Sequence, residues 1–116
     1  MLPSGRRFMR AYLRAVRDYN DSLVSGRIAG VGADEIIAIL TEYTSIKDPA
    51  IYRAISAQGC NPDGSVNEIS LRIDLQYYKD EGHIQGEVTV EQAVDHSFVR
   101  AALNDLGPYR PRSTTR

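Results

Sequence analysis

Cysteine and histidine are scarce in this chain of 116 residues. A single cysteine, Cys60, excludes an intrachain disulfide and a cysteine-based metal cage. His83 and His96 are lone histidines. A zinc site needs at least a third ligand, or a pair such as two His four apart, so surface or capping roles are expected for both. No apolar run approaches the ~20 residues of a membrane span. Neither charge sign is in surplus: 14 Lys and Arg face 15 Asp and Glu, for a net charge of -1. A general nucleic-acid binder would need a net basic footprint, so that class is set aside. There is no internal repeat and no low-complexity tract. Arg6, Arg7, Arg10, Arg14 and Arg17 interrupt every apolar stretch near the start, so no secretory signal is read there. The expectation is a cytoplasmic chain if it is encoded as written, or a piece of a longer exported protein.

What is present is ordered by helical periodicity. Charge is uneven: residues 1–30 carry a net of +4, residues 31–107 a net of -8, and residues 108–116 add three Arg. From Arg6 to about Val24, Phe8, Met9, Tyr12, Leu13, Val16, Tyr19 and Leu23 recur at helical spacing. Arg7, Arg10, Arg14 and Arg17 are expected on the opposite face, most simply as a solvated stripe, with a phosphate or membrane surface as the sharper alternative. Ser4 suits the N-cap and Gly26 the C-cap. A second helix is expected from Ala33 to about Thr44, with Asp34 and Glu35 in its first turn. The preceding Gly30-Val31-Gly32 is not read as a phosphate loop: no strand is expected before it, a third glycine is missing, and two carboxylates would repel the phosphate. Asp48-Pro49 starts a short third helix to about Ser56, and Asn61-Pro62-Asp63-Gly64 is a turn.

Residues 67–82 are ambiguous. Ile69, Leu71, Ile73, Leu75 and Tyr77 alternate as in a half-buried strand. Asn67 as N-cap, Gly82 as C-cap and the length between them favour a helix. Such a helix carries two apolar strips, Ile69/Ile73/Tyr77 and Leu71/Leu75/Tyr78, and is expected to be the central one, packed between two layers. Thr89 and Gln92 form a capping box, and a last helix runs from about His96 to Leu106 before Gly107-Pro108 stops it. The expected fold is all-α, a compact single helical domain over residues 1–107 with a flexible tail over 108–116.

Chemistry is thin. Cys60 sits in a loop and reads as a bystander thiol, since a nucleophile needs a base or a helix N-terminus nearby. Asp80 and Glu81 are adjacent and diverge on a helix, so they cannot act as a carboxylate pair. Thr89 to Leu106 is loosely like a helix-turn-helix, but its second helix offers only Arg100 beside Asp105. No catalytic residue, cofactor site or metal ligand is assigned, no ligand-binding residue is identified, and an enzyme is not expected.

The order of several segments carries more. Phe8 to Asp21, Ala33 to Leu40, Ile46-Lys47-Asp48-Pro49 and Asn61 to Asn67 resemble, in sequence and spacing, the C-terminal part of one family. Gln85 to Gln92, Ser97-Phe98-Val99 and Leu106-Gly107-Pro108-Tyr109 fit it as well. The family is the periplasmic substrate-binding proteins of ABC importers for nitrate, sulfonates, taurine and bicarbonate, with relatives similar to thiamine-pyrimidine precursor proteins. The resemblance implies the helical C-terminal portion of a type II periplasmic-binding-protein fold, whose two lobes close on a small solute by hinge motion and whose partner is an ABC permease. It implies a truncated or fragmentary member that does not bind ligand alone. The alternative is a small helical oligomeric interaction or regulatory domain that has lost the transport role. An enzyme like the pyrimidine-synthesising relatives would need His and Cys clusters that are absent. Helices made to cover a missing sheet would expose apolar faces when alone. A homo-oligomer is therefore expected through the Phe8/Tyr12/Val16/Tyr19 face, most simply a symmetric dimer.

Overall fold

A computed structural model describes residues 2–112. The mainly helical class is as expected: six helices, α1 (Pro3–Asp21), α2 (Ala33–Tyr43), α3 (Pro49–Ala54), α4 (Glu68–Asp80), α5 (Val90–Ala93) and α6 (Ser97–Leu106), account for most of the described residues. One small antiparallel hairpin joins them, β1 (Leu23–Val24) and β2 (Arg27–Ile28), with Leu23 opposite Ile28 and Val24 opposite Arg27. Pro3, not Ser4, marks the start of α1, with Leu2 at the N-cap. The helix stops at Asp21, short of the expected Val24, because Ser25 and Gly26 both take positive φ (50° and 76°) and fold the chain back as a two-residue turn. Glycine suits a helix C-cap and a hairpin turn for the same conformational reason, so local sequence could not separate the two.

The other helices begin where cap chemistry puts them. The Asp48 carboxylate accepts from the Ala50 amide at 2.9 Å, and the Asn67 side chain accepts from the Ser70 amide at 3.1 Å. Thr89 and Gln92 form the full capping box at the start of α5. The segment 67–82 is thus a helix, and the alternating pattern that suggests a strand is incidental.

The interior is small and split. In one part α1 packs along α6, where Leu13 and Ala102 are fully buried. Gly64, at φ +73°, lies against Leu13 and Val99, and a Cβ there would come within 2.7 Å of the Leu13 side chain. In the other part Ile28, Ile37 and Tyr52 form a cluster flanked by Tyr19, Leu23, Ile36 and Leu40. The Tyr52 hydroxyl is satisfied by the Thr44 hydroxyl and donates to the Ile46 carbonyl at 3.1 Å.

Two expectations need correction. The chain is not compact: its radius of gyration is 17.4 Å and it measures 53 × 34 × 25 Å, where a globular domain of this size has a radius near 13 Å. Its accessible surface is 8527 Å², against roughly 6,300 Å² for a globular monomer of this mass. Nor is α4 central. None of its residues is buried. Its Leu71/Leu75/Tyr78 strip borders Val88, Val90 and Ala93 beside α5, while Ile69, Ile73 and Tyr77 are 74%, 65% and 58% exposed. Two apolar strips imply two neighbouring layers, and the described residues supply only one of them.

The expected flexible tail over 108–116 is corrected where it is described. Tyr109 and Arg112 are bonded to α1, as described below; residues 113–116 lie outside the described residues.

The core predicts an unequal response to truncation. Leu13→Ala is expected to lower unfolding stability by about 2–5 kcal/mol, and Ile69→Ala to change it by less than about 0.5 kcal/mol, measured by urea unfolding in dilute solution. An equal cost for both would contradict the placement of α4.

Candidate functional site

The densest polar cluster lies where the C-terminal segment crosses the end of α1. The Asp21 side chain is 4% exposed. Its carboxylate accepts from the Tyr109 hydroxyl at 2.6 Å, the Arg112 amide at 3.1 Å and Arg112 Nε at 2.8 Å. Arg112 also reaches Asp18 at 3.3 Å. Beside it Arg17 donates to the Pro62 carbonyl, Asp63 and the Gly107 carbonyl at 3.0, 3.0 and 2.7 Å. Arg17 therefore does not belong to the solvated Arg stripe, where helical spacing alone would put it. It is partly buried and ties the 61–64 turn and the end of α6 to α1.

This cluster is consumed by structure. Burial pushes the Asp21 carboxyl up, but the hydrogen bonds from Tyr109 and Arg112 and the Arg112 charge outweigh it and hold the group below its ordinary value. Burial, then the Asp21 hydrogen bond and charge, push the Tyr109 phenol up to about 12. Both oxygens of Asp21 carry hydrogen bonds from within the chain. Sequence reasoning missed this clasp because no spacing rule links Asp21 to Tyr109, which is 88 residues away.

The residues weighed for chemistry are not brought together. His96 Nε2 meets Glu68 Oε1 at 2.9 Å and ties the start of α6 to α4; its side chain does not cap α6. His83 lies edge-on to Tyr78 after α4. Cys60 is exposed, and its backbone carbonyl accepts from Asn20 at 2.7 Å. Among the described residues no three His, Cys, Asp or Glu side chains are grouped to hold a metal ion, and no helix is long and apolar enough to cross a membrane.

The concave features are open grooves. One of about 630 Å³ runs past Gly30, Gly32, Asp34, Glu35 and Arg53, where Arg53 is already paired with Asp34 at 3.0 Å. The start of α2 in this groove carries its own two carboxylates, so an anion finds no favourable field. A second, of about 530 Å³, is apolar and lies between α1 and the α2–α3 unit, lined by Tyr12, Ala15, Tyr19, Leu40, Tyr52 and Ile55 among others. Val16 lines its floor and is 7% exposed, and Tyr19 is half-buried with its hydroxyl donating to the Gln58 carbonyl at 2.7 Å. The expected partner face of Phe8, Tyr12, Val16 and Tyr19 is therefore corrected. Its outer part is Phe8, 70% exposed, with Tyr12 and the exposed Ala11 and Ala15. The chain thus presents apolar surface edged by charge in place of an enclosed polar chamber.

No family model, no curated protein and no solved structure matches the chain.

The clasp predicts a stability profile with two limbs. A carboxyl held below its ordinary value stabilises the fold above that value, and the contribution is lost as pH falls through the folded pKa. Asp21→Asn is expected to cost about 1.5–3 kcal/mol at neutral pH and to flatten the acid limb below the ordinary carboxyl value of 3.8. A phenol raised from 10.0 to about 12 stabilises below 10 and loses that contribution as pH rises toward 12. Tyr109→Phe should remove this alkaline limb. Chemical denaturation across pH reads both.

Proposed function

We propose that the chain is the helical C-terminal portion of a solute-binding receptor of the ABC-importer class. In this reading it clads a larger two-lobed body, contributes no solute contact of its own, and works in the periplasm beside a permease. The reading is supported first by the ordered motifs from Phe8 to Tyr109 that resemble that family. The observation that carries it physically is the surface excess, 8527 Å² against roughly 6,300 Å² for a self-contained monomer. An excess on the order of 2,000 Å² is more than twice what one partner contributes to a standard protein interface, about 800 Å². Helices with that much uncovered surface are built to be covered.

In this reading the isolated chain is a binding element. On its own such a chain covers its apolar faces by associating with other molecules.

Thermal shift tests the cladding role. Nitrate, taurine, alkanesulfonates, bicarbonate and pyrimidines are each expected to leave the melting temperature of the isolated chain unchanged. A competent site would add about 2.7 kcal/mol at a hundredfold excess over Kd, a rise of several degrees. Added to the two lobes of an importer receptor that lacks its own C-terminal helices, the chain should restore a solute-dependent rise. A dose-dependent rise with the chain alone, or no restoration, would overturn the reading.

A further inference from the structure

We infer that two copies of this chain dock through unlike faces, the outer face of α1 from one copy lying parallel on the exposed face of α4 from the other. The two faces match in shape. Ile69, Ile73 and Tyr77 form a row at steps of four, and Phe8 and Tyr12 form another, so the rows interdigitate as ridges into grooves. Ala11 and Ala15 keep the α1 face low, and it runs without a break into the apolar groove of about 530 Å³ through Tyr12 and Ala15.

The faces also match in charge. Arg7 and Arg14 edge the α1 face, and Asp74 and Glu81 edge the α4 face. All are exposed, and none forms an ion pair among the described residues. Each pair is seven residues apart, two turns or about 10 Å along the axis. The charged edge lies on opposite rotational sides of the apolar row in the two helices. When the helices pack parallel, that geometry puts Arg7 and Arg14 over Asp74 and Glu81; antiparallel packing would put the charges on opposite flanks. The same argument disfavours like-face dimers, in which a parallel pair would bring no opposite charges together. Because the contact joins unlike faces, it closes as a reciprocal dimer or ring, or else extends into chains. The contact belongs to the chain alone, because a receptor body would cover the same surface, so its failure would leave the proposed receptor role untouched.

The test is sedimentation velocity with charge reversal. The wild-type chain is expected to sediment as a concentration-dependent assembly at micromolar concentration and low salt. Dissociation should be at least tenfold easier at about 1 M salt, where the Debye length is about 3 Å. R7E/R14E and D74K/E81K should each return the chain to a monomer, with the folded state checked by circular dichroism. Combining all four substitutions restores opposite charges across the contact and should restore assembly. A monomeric wild type, assembly that survives either reversal, or four substitutions that fail to restore it would overturn the inference. Retention on anionic vesicles by a chain that is monomeric without them would also overturn it, in favour of a lipid surface for α1.

Discussion

Leu13 and Ala102, both fully buried, hold α1 against α6, and the rest of the molecule is arranged around that seam. The 61–64 turn is pressed onto Leu13 through Gly64, and Arg17 fastens the same turn and the end of α6 from the other side. The C-terminal segment then returns over α1 and is pinned on Asp21. What this seam does not do is reach α4. That helix is attached by a border with α5 and by the Glu68–His96 and Arg72–Glu91 pairs, most of them at the surface. Exposed ion pairs contribute at most about 1 kcal/mol each, so α4 is held in orientation more than in stability.

The shape follows from that imbalance. A chain whose interior is limited to a few side chains cannot bury the usual share of its surface, and the apolar residues left exposed lie on α4, on the outer face of α1 and on the α2–α3 unit. Apolar surface of this kind is unfavourable in water at about 25 cal/mol per Å², which gives a thermodynamic reason for association. The charged edges then restrict which face meets which. Both readings of function draw on this one property: a receptor body or a second copy would each remove the same surface from water.

Much of the local structure was legible in the chain because it is decided within a few residues. Asp48, Asn67, Thr89 and Gln92 act through bonds to backbone groups two or three positions away, and their helices start where those bonds allow. The hairpin was hidden because Gly26 serves either as a helix end or as a turn. The position of Arg17 was hidden because helical spacing gives a residue's angle on the helix but not which other segment comes to meet it.

By itself the sequence determined the helical class, the caps and the amphipathic strips, because each depends on interactions between neighbours on the chain. Only the tertiary structure decided which strips are covered. The Leu71/Leu75/Tyr78 strip has α5 beside it and the Ile69/Ile73/Tyr77 strip is left exposed among the described residues, although the two read alike as patterns. Burial is a property of what lies opposite a residue, and for Asp21 and Tyr109, 88 positions apart, that neighbour is set by the path of the whole chain.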